Sequence, residues 1–73
     1  MSIPLNVITG EIRQLDLDRR TGRMTLHAST IEFVCVPGVL DEVKRLFVSH
    51  LPCKLGGQWV SPDLFDVWQV MAD

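Results

Sequence analysis

The stretch that decides the fold is residues 8–36, ITGEIRQLDLDRRTGRMTLHASTIEFVCV. It predicts three consecutive antiparallel strands joined by short turns. In the first strand the apolar residues do not keep one alternation, and Gly10 interrupts them, as in a strand that bends or bulges. In the second strand Met24 and Leu26 alternate with polar residues, which is typical of one buried face. The third strand, residues 31–36, is apolar on much of both faces.

The turn between the first two strands is predicted at residues 18–22, DRRTG. Aspartate favours the start of a turn, and glycine adopts the positive φ that a longer hairpin loop requires. The meander of three strands is therefore expected to span residues 7–36, with the first strand curling between the two sides of a small barrel.

The next segment, residues 38–50, predicts a helix that packs one apolar stripe against the sheet. Helical spacing joins the following residues: Val39, Leu40, Val43, Leu46 and Phe47. Acidic residues fall in its first turn and basic residues later, as the helix dipole prefers. Pro52 ends the helix.

Residues 52–71 predict two closing strands. The first run, CKLGGQWV, places Cys53, Leu55 and Trp59 on one face and predicts all three in the core. The second run is open to two interpretations, because Ser61 and the proline after it would also begin a helix. We favour a strand, since a fifth strand would cover the open edge that four strands leave.

Length and composition predict one small domain, residues 1–73, with residues 1–4 loose. Hydrophobic residues make up 47% of the chain, which is more apolar material than so small an interior needs. The net charge of −2 argues against bulk phosphate binding. No export signal is visible and no stretch is long enough to span a membrane, so we expect a cytoplasmic protein without a membrane partner.

The order of three strands, a helix and two strands resembles the OB-fold. The resemblance implies a mainly β chain with one helix (α+β), folded as a small, partly open, five-stranded antiparallel barrel of order β-β-β-α-β-β. Residues 7–70, and LDLDRRTGRMTL in particular, also look like those of small uncharacterised bacterial domains. The shared motif is a hairpin signature and implies no catalytic residue.

OB-fold domains often bind single-stranded nucleic acid with a basic groove and stacked aromatic residues. The candidate contacts here are the arginines of the hairpin: Arg13, Arg19, Arg20 and Arg23. Acidic residues are interleaved with them, and the outward positions of the second strand, Arg23, Thr25 and His27, include no aromatic residue. These features argue against nucleic-acid binding by the hairpin, and that function is the alternative interpretation.

No motif predicts chemistry. The possible metal ligands are Cys35, Cys53, His27 and His50, but they lack the short chelating spacing of zinc motifs. Both cysteines fall on inward positions and are predicted to be reduced core residues. The serines have no recognisable His–acid partners, and the glycine pair at residues 56–57 precedes no helix. The sequence thus predicts no enzyme, no cofactor and no metal.

The remaining signal is a surplus of apolar residues. Once the core is filled, an outward set is left over: Val34, Val36, Val60, Leu64 and Trp68. Soluble monomers rarely expose a large continuous apolar patch, and a two-fold dimer is the commonest way to cover one. We therefore predict a small non-catalytic binding or protein-interaction module that forms a homodimer or higher oligomer, or binds an unidentified protein partner, through these residues.

Overall fold

The computed structural model describes residues 5–71, and its elements follow the predicted order of three strands, a helix and two strands. They are β1 Asn6–Asp16, β2 Thr21–Leu26, β3 Ser29–Cys35, a 3₁₀ turn Pro37–Val39, α1 Leu40–Ser49, β4 Cys53–Ser61 and β5 Leu64–Met71. The prediction of a loose segment at residues 1–4 lies outside the described residues. No helix among residues 5–71 is long and apolar enough to cross a membrane.

The five strands form a closed barrel with the order β1-β2-β3-β5-β4, which confirms the OB-like architecture. The expected barrel was partly open and antiparallel. The observed barrel is closed instead, and its strands β3 and β5 pair in parallel. A parallel pair needs a crossover connection. Here α1 and β4 lie between β3 and β5 in the chain, and together they form this crossover connection.

β1 takes part in both halves of the barrel, pairing first with β4 and then with β2. Gly10 lies at this change of partner, and a Cβ there would collide with the backbone oxygen of Thr25. The sequence suggested a bulge at Gly10, but the bulge lies further along β1. The register shifts between Ile12 and Gln14, so Arg13 is the extra residue.

The interior is filled by inward residues of all five strands and of the helical segment. They are Ile8, Ile12, Met24, Ile31, Phe33, Cys35, Val39, Val43, Cys53, Leu55, Phe65 and Val67. The strand alternation predicted most of this set, including both cysteines. The tail is a strand rather than a helix, and Phe65 and Val67 are its inward residues.

Trp59 does not lie in the core, and that prediction was wrong. It pairs with Phe65 across β4 and β5, so it has the inward orientation. However, Trp59 is 39% exposed, and its ring packs edge-on against the buried ring of Phe65 with centroids 5.0 Å apart. Trp59 therefore covers Phe65 from outside instead of filling the core.

The helix is slightly shorter than predicted and has a narrower buried stripe. Val43 is completely buried, whereas Leu46 and Phe47 are half-buried and pack at the margin of the core. His50 ends α1 in the left-handed conformation, with its backbone N–H donating to the Phe47 carbonyl at 3.3 Å.

Candidate functional site

The outer side of β3, β5 and β4 carries most of the residues predicted for an interface. In the register, Val34 of β3 is level with Asp66 of β5, which is level with Gln58 of β4. Leu64 precedes Asp66 by two positions and therefore points to the same side. Trp68 also lies there, because its indole Nε1 donates to Asp66 Oδ2 at 3.0 Å.

Two irregularities in the pairing of β4 with β5 shape this surface. The register shifts between Trp59 and Ser61, so Val60 is the extra residue, and it is 61% exposed. A second shift beside Gly57 places Trp68 in a bulge of β5, where it is 37% exposed. Bulges re-aim side chains. We call the surface formed by Val34, Val60, Leu64, Asp66 and Trp68 the β5 face.

Val36 differs from the other predicted interface residues because its side chain packs against the core. It lies just beyond the end of β3, where its N–H donates to the Val67 carbonyl at 3.1 Å. Its side chain is half-buried and packs against the core. Val36 thus borders the β5 face, and part of its apolar side chain is buried inside the molecule.

The four candidate arginines lie in two separate places. Arg13 and Arg23 border an open groove of about 510 Å³ that is lined by residues of β1, β2 and β3 and by Phe47 of α1. Each is paired with a glutamate: Arg13 with Glu11 at 3.3 Å and Arg23 with Glu32 at 3.4 Å. The positive charge of each of these two guanidinium groups is therefore largely balanced by the neighbouring glutamate.

Arg19 and Arg20 lie at the tip of the β1–β2 hairpin. Asp16 orders this tip, because its Oδ1 accepts the backbone N–H groups of Asp18 at 3.1 Å and Arg19 at 3.2 Å. Arg20 has a left-handed backbone with φ 57°, and its carbonyl accepts the Cys35 N–H at 2.7 Å. Neither arginine belongs to an ion pair within residues 5–71.

A stacking platform for bases is missing from the strands that border the groove. The outward residues of β2 and β3 are Thr21, Arg23, Thr25, Thr30, Glu32 and Val34. None of them is aromatic, which agrees with the expectation from the sequence for β2. Trp68 is aromatic and lies on the outer surface, but on β5 and beside a carboxylate.

Both cysteines are buried and free. Burial first, and then the charge of Asp66, raise the pKa of the Cys35 thiol to about 11, while the charge of Arg20 opposes this increase. Burial followed by the charge of Glu11 raises the pKa of Cys53 to about 11. Thiols with these pKa values are protonated at neutral pH and are weak nucleophiles. Among residues 5–71 no three His, Cys, Asp or Glu side chains lie close enough together to hold a metal ion.

Asp66 is the residue of this surface that the sequence analysis missed. It alternates with Leu64 and Trp68 in the run LFDVW, and that spacing was the available signal. The groove beside Arg13 was missed as well, because it depends on a bulge whose position the alternation misplaced. Comparison with protein-family models, curated proteins and solved structures finds no match for this chain.

Proposed function

We propose that this protein is a small non-catalytic binding module that self-associates through the β5 face. The observation that supports the proposal is that four apolar residues on three adjacent strands lie outside the buried core: Val34, Val60, Leu64 and Trp68. The barrel interior is already filled by other residues, so these four have no place inside it.

Covering such a surface is favourable because burial of apolar area contributes roughly 25 cal/mol per Å². Tryptophan is enriched among the residues that dominate interface energetics. A chain of this size buries a comparatively small share of its own surface on folding. A second copy therefore provides both a cover for the face and additional stability for the domain.

The sharpest test compares two valines that have nearly equal exposure. Val60 on the β5 face is 61% exposed, and Val48 on the solvent side of α1 is 64% exposed. Val60→Asp should raise the dissociation constant of the dimer about tenfold or more (about 1.4 kcal/mol or more), since covering a charged carboxylate without a partner costs more than the roughly 1–3 kcal/mol of a neutral polar group. Val48→Asp adds the same charge outside the face and should leave association unchanged.

The measurement is sedimentation or light scattering across micromolar concentrations, with circular dichroism to verify that both variants are folded. A wild-type protein that remains monomeric throughout this range contradicts the proposal. Equal weakening by both substitutions would mean that net charge, and not the β5 face, controls association.

The alternative function is binding of single-stranded nucleic acid along the hairpin by Arg13, Arg19, Arg20 and Arg23. The observation in its favour is the open groove beside two of these arginines, with the other two at the ordered tip and in no ion pair among residues 5–71. Against it stand the glutamate partners of Arg13 and Arg23 and the lack of an aromatic residue among the outward residues of β2 and β3. We therefore rank it second.

The double variant Arg19→Ala/Arg20→Ala separates the two functions. Both side chains are exposed at the hairpin tip, so the fold should persist within about 0.5 kcal/mol. We expect the wild type to show no tight, salt-sensitive affinity for single-stranded oligonucleotides in fluorescence anisotropy. Tight binding that weakens with salt, and that the double variant loses, would reverse our ranking. For the location we propose the cytoplasm, where two reduced thiols are ordinary.

A further inference from the structure

The outer side of β1, β4 and β5 carries apolar residues that the β5 face does not include. Val7 of β1 pairs with Gly56 of β4, which pairs in turn with Gln69 of β5. Val7 precedes a buried residue of β1 and is 47% exposed, so its side chain lies on the outer side. Leu5 is 39% exposed. We call the surface formed by Leu5, Val7, Gly56, Gln69 and Met71 the Gly56 surface.

Gly56 lets the side chains around it lie directly on β4. A Cβ at Gly56 would meet only side-chain atoms, with Leu5 Cδ2 at 3.1 Å and Gln69 Cγ and Met71 Sδ each at 3.2 Å. At the neighbouring Gly57, in contrast, a Cβ would overlap a backbone carbonyl of β5. The barrel thus requires glycine at position 57, whereas Gly56 keeps its apolar neighbours close to the strand and the outer surface even. An even sheet surface suits face-to-face packing.

Opposite charges stand at the two ends of the Gly56 surface. Lys54 precedes Gly56 by two positions, and Asp66 is level with Gln58, which follows Gly56 by two positions. Both neighbours of Lys54 in the chain are buried, and so are both neighbours of Asp66, so the two charged side chains point outward. Neither of them belongs to an ion pair within residues 5–71. A cation and an anion therefore lie on one surface, equally far from Gly56 and on opposite sides of it.

This surface is self-complementary about a two-fold axis. The axis lies in the plane of the surface and crosses the strands at the pair of Gly56 with Gln69. It lays β4 of the partner on β4 and β5 on β5, with the strand directions reversed. Lys54 of each copy then comes to the level of Asp66 of the other, since the two residues are equally far from the axis. In an isologous interface every contact occurs twice, so the opposite charges meet twice.

The same rotation places apolar residues against apolar residues. Val7 faces its own counterpart, and Trp68 lies beside the axis, because the bulge that contains it adjoins the central pair. Val60 comes to the level of the partner's Pro52, since both are four positions from Gly56 along the chain. The residue before that proline, Leu51, is 55% exposed. The β5 face and the Gly56 surface therefore fall within one contact.

We propose that a second copy of this chain covers the Gly56 surface together with the β5 face, held in register by two reciprocal ion pairs between Lys54 of one copy and Asp66 of the other. This inference rests on the proposed function and adds to it a further area, the symmetry and the specificity of the contact. The apolar side chains contribute the covered area. The ion pairs select the register, because a shift along the strands moves the opposite charges out of line.

Charge reversal tests the pairing directly. Lys54→Glu alone and Asp66→Lys alone each place like charges opposite one another twice per homodimer. Each variant should therefore bind itself at least about tenfold more weakly than the wild type does. An equimolar mixture of the two variants restores both attractive pairs, so the mixture should form a heterodimer. Asp66→Asn keeps an acceptor for the Trp68 indole and removes only the charge, so it should weaken association less than Asp66→Lys does.

Matched controls are available on α1, where Lys44→Glu and Asp41→Lys make the same charge changes at exposed positions outside both surfaces. Both controls should associate like the wild type. Val7→Asp tests the Gly56 surface without altering either charged residue, and it should also weaken association about tenfold or more. Its control is Val48→Asp, which adds the same charge on α1.

Sedimentation of each variant alone and of the equimolar mixture gives the result, with circular dichroism to verify that every variant is folded. A wild-type dimer that the charge reversals do not weaken, or that Val7→Asp leaves unchanged, overturns this arrangement and leaves the proposed function standing. Folded charge variants whose mixture stays monomeric overturn the ion pairs as well. A monomeric wild type overturns both the arrangement and the proposed function.

Discussion

Gly57→Ala should destabilise the barrel by about 3 kcal/mol or more, because the added methyl group has no space. A Cβ at this position would overlap the backbone carbonyl of Asp66 and lie 3.2 Å from the backbone nitrogen of Trp68. Backbone atoms of a paired strand cannot turn aside as a flexible side chain does. β4 would have to separate from β5 at the bulge that aims Trp68 outward. Urea denaturation followed by circular dichroism should show the loss.

Gly38→Ala is the matched control for this prediction. Gly38 lies in the 3₁₀ turn, and a Cβ there meets no heavy atom within 4 Å. Its free energy of unfolding should change by less than about 0.5 kcal/mol, as for an ordinary surface substitution. Equal stability of the Gly57 and Gly38 variants would show that β4 and β5 are not packed as closely as described.

Phe33→Ala should destabilise the fold by about 3–5 kcal/mol. Phe33 is completely buried in the middle of the barrel, level with Gly22 on one side and with Phe65 on the other. Gly22 leaves the space that the ring occupies, since a Cβ on Gly22 would lie 2.6 Å from its Cζ. A domain this small has a stability of only about 3–5 kcal/mol from its single core. The variant should therefore be largely unfolded at 25 °C.

Phe47→Ala is the control with the same change of side chain. Phe47 is half-buried at the margin of the core, so its removal leaves a smaller cavity and a smaller loss. Thermal and urea unfolding of both variants measure the difference. A Phe33 variant that is no less stable than the Phe47 variant would contradict the placement of the core.

Self-association would link the stability of this barrel to its concentration. A partner that binds only the folded state stabilises that state by mass action. The melting temperature of the wild type should then rise with protein concentration, while that of Val60→Asp should rise less. Self-association through the β5 face, if it occurs as proposed, therefore bears on the stability of the fold as well as on the partner.

The sequence by itself determined the elements and most of the core. The alternation around Met24 and the helical spacing around Val43 are local patterns, and each follows from the direction in which consecutive side chains point. Phe65 and Val67 followed in the same way once the tail was interpreted as a strand. Local periodicity is sufficient for these residues because their burial depends on which side of their own element they occupy.

Only the tertiary structure decided the rest. The parallel pairing of β3 with β5, the bulge at Arg13 and the exposure of Trp59 depend on which strands meet and where each of them ends. The position of Asp66 beside Val34 has the same origin, since the two residues are far apart in the chain. Register between distant strands is a non-local property, because the pairing of one strand depends on how all the others close the barrel.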